Sequence, residues 1–532
     1  MMKLNLCQSR SDCCILIFFV LYGFVNVLTL TQFPFVHSDE AWLSGLSRAM
    51  LQTRDLSATE PFFDLYPRSP HAIKTLFHLL QLPFYAIFGY SLFAARMLSL
   101  TFSLLTLYQF YRLLRHATRD SRFGREWIPF LFTVALALDI QFLYASRFAR
   151  QEIILLFILI TLLRIHLHLS RYPGFREVLF TSVILGLAMG VHPNSFVIAL
   201  PFATYYILLS AKRLISVRLP LLLIGLLGLF ASGFAGLSLW MNPGFFADYS
   251  DYGSTLGVTA KITDKLYGLI PFIQKLYLGI SGTYYTPDIR IILVLFMVAS
   301  VCCTALLLKG NVVNQYSPVV SLNLLTLASL LLGIMMIGRY SQPSIIFIFP
   351  SGYLLLAVLA DRLPLKKSFV PLAPSMLLTG LIVLNTVFNL SDFQKPHGSY
   401  EAYLSAISRS VPENARVLAN LNADYYFDGG ALMDYRNLAY LKDHNLSFED
   451  YIDSRNIQFI LYTNEMDLIY NKRPLYNSMY GNTAPYYDSM IAFLSERCLL
   501  VDTIRTPYAM RIANKFPDPD STLRIYQVMP KR

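Results

Sequence analysis

Residues 92–145 read LFAARMLSLTFSLLTLYQFYRLLRHATRDSRFGREWIPFLFTVALALDIQFLYA, two apolar stretches joined by a loop with five arginines, Arg112, Arg115, Arg119, Arg122 and Arg125. Each apolar flank, 92–111 and 127–145, is about as long as the ~20 residues an α-helix needs to cross a bilayer. Working outward, stretches of the same kind recur at 14–36, 151–169, 178–191, 194–210, 219–240, 289–308, 318–338, 343–360 and 368–390. The composition agrees: 55% of the 532 residues are hydrophobic and 14% are charged, where soluble domains carry about 25% charged residues. The reading is a polytopic α-helical membrane protein with about eleven transmembrane helices, residues 1–390, followed by a separate C-terminal domain, residues 391–532.

The net charge of +11 does not call for a nucleic-acid partner, because the basic residues cluster in short loops. After the 112–125 group come Arg171 and Arg176, then Lys212, Arg213 and Arg218, then Arg362, Lys366 and Lys367, with Lys3 and Arg10 before the first stretch. With the stretches counted as above, all of these loops share one side. That is the positive-inside pattern and places them in the cytoplasm. The protein is expected in the cell (plasma or inner) membrane, with the C-terminal domain extracytoplasmic. The first apolar run is longer than the core of a signal peptide and is expected to stay as a span.

The stretch HAIKTLFHLLQLPFYAIFGY, 71–90, is apolar enough to be a twelfth span. Counting it would invert every later loop, so it is expected to be an interfacial helix in a first outer loop, 37–90. A second outer segment, about 241–288, mixes Tyr, Gly, Pro and Lys with short apolar pieces. Beyond Leu390 the texture changes. Residues 399–411 and 448–455 read as helices; 416–420, 457–463, 499–504 and 523–529 read as strands, an alternation that predicts a small α/β domain. The six cysteines suggest no disulfide framework, since Cys13, Cys14, Cys302 and Cys303 fall inside apolar stretches.

Ionisable groups at membrane depth are costly, which makes them functional candidates. They concentrate at one side, at the ends of different spans. His37-Ser38-Asp39-Glu40-Ala41-Trp42 follows the first span, and Ser146-Arg147-Phe148-Ala149-Arg150-Gln151-Glu152 forms a tight turn between two spans. His192-Pro193-Asn194 and Gly338-Arg339-Tyr340 are similar junctions, and His71 and Lys74 adjoin the interfacial helix. Each has a structural explanation. Ser38 can cap a helix whose first turn holds Asp39 and Glu40; Arg147 and Arg150 can snorkel to headgroups; His192-Pro193-Asn194 can be a turn, and Arg339-Tyr340 an interfacial anchor. What favours function is that all four junctions fall on the side that lacks other basic clusters through the first ten spans.

In order and spacing these residues resemble the glycosyltransferase C superfamily, in particular the bacterial branch of lipid A aminoarabinose transferases and protein O-mannosyltransferases. The acidic pair after the first span, Tyr90-Ser91-Leu92-Phe93-Ala94-Ala95-Arg96-Met97-Leu98, the Ser146–Arg150 turn, and Arg339-Tyr340 with Pro350 carry the resemblance, over about residues 14–390. Two positions depart from it: Arg68-Ser69-Pro70-His71 stands where many relatives have Lys-Pro-Pro, and Glu152 where some have Asp. The resemblance implies an inverting transferase that moves a sugar from a polyprenyl-phosphate donor to a lipid, glycan or protein acceptor, surrounded by membrane lipids. An alcohol acceptor needs one carboxylate as general base, and the resemblance favours Asp39, with Glu40 supporting. A leaving phosphate needs charge neutralisation, for which forked arginine donors are suited. Arg147, Arg150, Lys74, Arg339, Tyr340 and His192 are the candidates to bind it. If a helix begins by Arg147, Arg147 and Arg150 share one face. No cofactor is required, although the carboxylates could instead hold a divalent cation; no metal-ligand spacing is visible. Three other readings compete: a ligase or polymerase of lipid-linked glycans with a diphosphate donor, a transporter, and a membrane scaffold presenting the C-terminal domain. The transporter reading expects inverted repeats, which the sequence lacks, and the scaffold would not need the acidic and basic set.

Overall fold

The computed structural model describes residues 9–119, 126–169, 171–255, 260–278, 283–309, 317–338, 342–362, 373–393, 398–511 and 521–531. The first half alternates helices and junctions. They are α1 (Arg10–Leu28), α2 (Ser38–Thr53), α3 (Thr75–Phe88), α4 (Leu92–Ala117), α5 (Trp127–Ala137), α6 (Ile140–Arg147), α7 (Glu152–His168), α8 (Phe175–Met189), α9 (Ser195–Ala211) and α10 (Arg218–Met241). Three short helices follow, α11 (Phe245–Thr255), α12 (Ile262–Tyr267) and α13 (Leu269–Tyr277), then α14 (Arg290–Leu308) and α15 (Ser317–Ile337). A 3-10 turn, Gln342–Ile348, leads into α16 (Phe349–Arg362), and α17 (Ala373–Phe393) closes the helical part of the chain.

Among the described residues, seven helical segments are long and apolar enough to cross a membrane: α1, α4, α10, α14, α15, Gln342–Asp361 and Ala373–Ser391. The pair α5 and α6, bent by 63° at its break, makes an eighth. The bend has a local cause. Asp139 caps α6, its Oδ1 accepting from Gln141 N at 2.8 Å, and its Oδ2 accepts from the Tyr353 hydroxyl at 2.6 Å. The sequence stretches at 151–169, 178–191 and 194–210 are helical too, as α7, α8 and α9, with 17, 15 and 17 residues. At ~1.5 Å per residue these are shorter than a ~30 Å hydrocarbon core. The chain is a multi-pass membrane protein.

The 71–90 stretch forms α3, 14 residues with Pro83 inside, about 21 Å long at the helical rise and, like α7, α8 and α9, shorter than the hydrocarbon core. Tight packing of α8 on α10 depends on small residues: a Cβ on Gly186 would lie 2.2 Å from Phe230, and one on Gly190 would lie 2.4 Å from Phe234. Cys13 is disulfide-bonded, whereas Cys14, Cys302, Cys303 and Cys498 are free thiols, so the described residues hold no disulfide framework.

Side-chain contacts show which helix ends lie together. Arg115, near the end of α4, pairs with Asp12 at the start of α1 at 3.5 Å, and His116 stacks on His168 of α7 with ring centroids 3.9 Å apart. Arg112, Arg119, Arg171, Arg176, Lys212, Arg213 and Arg218 are all exposed. At the other ends of α1, α4 and α6, by contrast, charges are buried.

In the C-terminal half, a five-stranded sheet has the order β2-β1-β3-β5-β4, from β1 (Val417–Ala419), β2 (Leu432–Asp434), β3 (Phe459–Thr463), β4 (Cys498–Arg505) and β5 (Thr522–Val528). The strands β2, β1 and β3 run parallel; β5 is antiparallel to β3 and β4. Helices α18 (Tyr400–Ser408), α19 (Phe448–Ser454), α20 (Glu465–Lys472) and α21 (Tyr487–Arg497) accompany it. One apolar core joins this half to the first outer loop: Val36, Ala41, Phe62, Tyr85 and Leu92 pack with Tyr400, Leu421, Tyr425 and Ile525. Arg48 of α2 clamps the same junction, donating to both oxygens of Asp424 at 3.0 Å and to Phe427 O at 2.8 Å.

Candidate active site

The chain leaves α1 and turns into α2 through His37, and His37, not Ser38, is the cap. Its Nδ1 accepts from Asp39 N at 3.0 Å, while Glu40 Oε2 accepts from His37 N at 3.1 Å, a reciprocal capping box. An accepting Nδ1 assigns the ring proton to Nε2, which lies 2.8 Å from Thr283 Oγ1. The ring stacks on Tyr284 with centroids 4.4 Å apart. Burial pushes its pKa down to about 4, against the pull of Asp39, so the imidazole is neutral at neutral pH.

The two acids of the pair then diverge, as the ~100° between successive helical residues requires. Glu40 is enclosed, and four donors fill its oxygens: Arg96 Nε and Nη2 at 2.8 and 2.9 Å, Ala149 N at 3.0 Å, and His37 N. Arg96 is itself fully enclosed and also donates to the carbonyls of Leu30, Phe33 and Pro34. Asp39 turns the other way, its side chain 25% exposed. Its Oδ2 accepts from Arg150 and from the Tyr284 hydroxyl, the latter at 2.6 Å. Arg150 in turn reaches Glu152 with Nε and Nη2 at 3.3 and 3.1 Å, and Tyr284 with Nη1 at 2.6 Å. One guanidinium therefore holds two carboxylates and a phenol. Although burial opposes its charge, Glu152, Tyr284 and Asp39 raise the Arg150 pKa well above the ordinary arginine range.

Arg147 does not join this group. The helix stops at Arg147, Phe148 is extended (φ −97°, ψ 120°), and α7 starts only at Glu152. Arg147 and Arg150 consequently share no helical face, which corrects the expectation of two adjacent arginines. Arg147 points to α1: Nε donates to Asn26 Oδ1 at 2.7 Å, Nη1 to Thr29 O at 3.1 Å and Nη2 to Thr29 Oγ1 at 2.8 Å.

The chain just after Lys74 and the chain just before His192 come together at a second corner. Lys74 precedes α3 in a left-handed conformation (φ 77°). Leu76 N donates to Gly190 O at 2.9 Å, two residues before His192. The His192 Nδ1 accepts from Asn194 N at 2.9 Å, so His192-Pro193-Asn194 is indeed a turn, and Asn194 reaches Ser344 Oγ at 3.3 Å. Arg339 and Tyr340 lie outside the described residues. Among the described residues, no group of three or more His, Cys, Asp or Glu side chains gathers as a metal site would require.

Sequence reasoning missed Thr283 and Tyr284, which come from the second outer segment, and Arg511, which comes from the C-terminal half. Arg511, together with Phe35, His37, Tyr144, Phe148 and Tyr285, lines a pocket beside this site. Tyr284 carried a faint signal in the SGTYYTPD run at 281–288, but nothing local ties Arg511 to residues some 470 positions earlier.

No protein-family model matches the chain, and no curated protein matches it in sequence. Solved structures do. ArnT from Cupriavidus metallidurans bound to undecaprenyl phosphate superposes with a TM-score of 0.57 over 97% of this chain and 98% of that one, at 12% identity. Its apo state gives 0.56 over the same shares at 11% identity. The Archaeoglobus fulgidus oligosaccharyltransferase, apo form, gives 0.52 over 87% of this chain and 70% of that one, at 13% identity. From its first helix to its C-terminal sheet, the chain shares its fold with ArnT and, over most of its length, with the oligosaccharyltransferase.

Proposed function

We propose that this protein is an inverting membrane glycosyltransferase that moves a sugar from a polyprenyl-phosphate donor to a hydroxyl of a lipid, glycan or protein acceptor. The observation that carries the reading is the contrast within the acidic pair: Glu40 is sealed by Arg96, while Asp39 is 25% exposed and aimed by Arg150 and Tyr284. Asp39 is the general base. It takes the acceptor proton as the acceptor oxygen bonds to the anomeric carbon, and the bond from that carbon to the phosphate oxygen breaks. The phosphate departs with its electron pair, needs no proton, and is met by positive charge. Arg150, Lys74, His192 and Arg339 with Tyr340 are the groups assigned to it. Glu40 supports the base by fixing the turn that presents it. This reading keeps eleven crossings of the plasma membrane, the short α7, α8 and α9 included on the strength of the loop charges, with the 112–125 loop cytoplasmic and residues 37–90 and 391–532 extracytoplasmic.

The test is Asp39→Asn in protein of verified abundance, incubated with radiolabelled polyprenyl-phosphate sugars and membrane lipids. A general base contributes roughly 10²–10⁴ in rate, so transfer should drop about 100-fold or more. Wild-type turnover by this variant would sink the assignment.

A further inference from the structure

Helices α4 and α7 finish side by side, and each brings an arginine and a histidine to that end: Arg112 and His116 on α4, Arg164 and His168 on α7. Residues four apart share a helical face, so the four side chains meet as two layers. Nearer the helix ends, the His116 and His168 rings stack with centroids 3.9 Å apart. One turn deeper, Arg112 is near enough to Arg164 to repel it, and both arginines, with Arg119, repel a positive charge on His168.

Among the described residues, no carboxylate pairs with Arg112, Arg164 or His168. Arg112 Nη1 donates to the Tyr108 hydroxyl at 3.0 Å, a neutral partner. Arg164 Nε is buried and has no hydrogen-bond partner. His168 Nδ1 lies 2.8 Å from Arg164 O. A carbonyl only accepts, so the ring proton sits on Nδ1, and a second proton on Nε2 would make that edge a donor as well. Two carboxylates at this end are committed elsewhere, Asp12 to Arg115 and Tyr111, and Glu177 to Gly174 N and Arg171. The negative ends of the two helix dipoles favour cations at His116 and His168. That effect fades within the last turn and leaves the deeper arginine pair unexplained.

Beyond the arginines the same two faces turn apolar. Leu105 lies seven residues before Arg112 and Phe157 seven before Arg164, which is two turns away on the same face of each helix. Leu105 and Tyr108 are exposed and Phe157 is partly exposed. Paired cations at the end of an apolar track match one shape of ligand, a phosphate carried on acyl chains. Forked guanidinium donors suit the phosphate oxygens, and basic pockets between membrane helices take anionic headgroups.

We propose that Arg112, His116, Arg164 and His168 bind the phosphate of an anionic phospholipid in the leaflet at this end of the bundle, with an acyl chain along Leu105 and Phe157. The site is at the opposite end from Asp39, and the proposal does not rest on the glycosyltransferase reading.

The experiment uses the full-length protein, delipidated in detergent, with lipid Kd measured by native mass spectrometry. The probes are dioleoylphosphatidylglycerol, dioleoylphosphatidylcholine and inorganic phosphate. Loss of one charge-assisted contact should raise the phosphatidylglycerol Kd roughly tenfold in Arg164→Gln. Arg176→Gln removes an equal charge from an exposed position at the start of α8 and should keep the wild-type Kd. An unchanged Kd in Arg164→Gln overturns the proposal. Equal losses in the two variants also overturn it, because the lipid would then respond only to summed charge. Phosphatidylcholine bound as tightly by the wild type removes the anionic lipid, and displacement of phosphatidylglycerol by inorganic phosphate assigns a free-anion site instead. Without lipid, Arg164→Gln should melt no lower than the wild type, since it relieves a repulsion. If it does not fold, His168→Gln takes its place with a several-fold rise in Kd expected, and an unchanged value there overturns the proposal.

Discussion

The two ends of the helical bundle use the same residue types in opposite ways. At the end where α4 and α7 finish, Arg112, Arg119 and Arg171 stand in the open, and the partners of Arg112 and Arg171 are close in sequence: Arg112 bonds Tyr108, four residues away, and Arg171 lies 3.9 Å from Glu177. At the other end, Arg96 pairs with Glu40 across 56 positions and Arg150 with Asp39 across 111, with little or no exposure of the arginines. Exposed charges cost little and act through their sum, as a signal for orientation. Buried charges lose hydration and persist only where each is matched. A charge is therefore informative about function in proportion to what its burial costs.

The most forceful way to break that comparison is to unmatch a buried pair. Glu40→Gln removes the negative charge facing Arg96, which is wholly enclosed, and removing one partner of a buried pair costs about 3–5 kcal/mol. The expected outcome is a sharply lower melting temperature and yield in detergent, with Asp39→Asn close to the wild type in both. Equal melting temperatures for the two variants would mean that Glu40 is not the structural member of the pair.

Acidity offers a second test at the same end. His37 has a folded-state pKa of about 4, below its unfolded value of 6.5, so between those values the unfolded chain binds more protons. Stability should then fall as pH drops from about 6.5 to about 4, by roughly 3 kcal/mol at most, at 1.36 kcal/mol per pKa unit. His71 and His78 also have depressed pKa values, about 4 and about 3, so the comparison is with His37→Gln. That variant should melt with a visibly flatter acid limb. An identical limb would show that the His37 ring is protonated without penalty.

The fold was legible because each apolar stretch is a local property of the chain. The 71–90 stretch is a 14-residue helix, α3, as expected, but its length does not set it apart from the 15-residue α8, so its exclusion as a span still rests on loop charge. In the C-terminal half the helices at Tyr400 and Phe448 and four strands were readable, whereas the three-residue β2, Leu432–Asp434, was too short to show a period. The acidic pair could be found, but its division of labour could not: which of Asp39 and Glu40 is sealed depends on Arg96, 56 residues away. The pairing of Arg147 with Arg150 failed for a local reason, the extended Phe148 that ends α6. Arg511 was invisible because loop closure over hundreds of residues leaves no trace in a sequence window.

That misreading yields the next test. Arg150 serves Asp39, Glu152 and Tyr284 with a fork that lysine cannot reproduce, so Arg150→Lys should lower kcat/KM by about tenfold or more. Among the described residues, Arg147 bonds only Asn26 and Thr29. Arg147→Lys should lose about 1 kcal/mol of stability and keep its donor dependence. If the two variants respond alike to donor titration, the arginines act together and the division drawn from Phe148 is wrong.

The smallest effects belong to the exposed end, where a near-zero result is the informative one. Arg112 and Arg119 are exposed, and surface substitutions away from special features usually stay within about 0.5 kcal/mol. Arg112→Gln and Arg119→Gln, made singly, should therefore leave melting temperature and transfer unchanged. Arg115 is the internal control, because it also reaches Asp12 at 3.5 Å and the hydroxyls of Ser9 and Ser11 at 3.1 and 3.2 Å. A partly exposed pair of that kind is worth up to about 1 kcal/mol, so Arg115→Gln should be slightly but measurably less stable. Orientation is the property these residues share, and it should change only when several are removed together, read by labelling an introduced cysteine at position 120 from each side of intact cells. Labelling of that cysteine from outside in the otherwise unaltered protein would invert the assignment of the two ends. A single Arg112→Gln that abolished transfer would be as damaging, since it would place chemistry at the end where burial demands none.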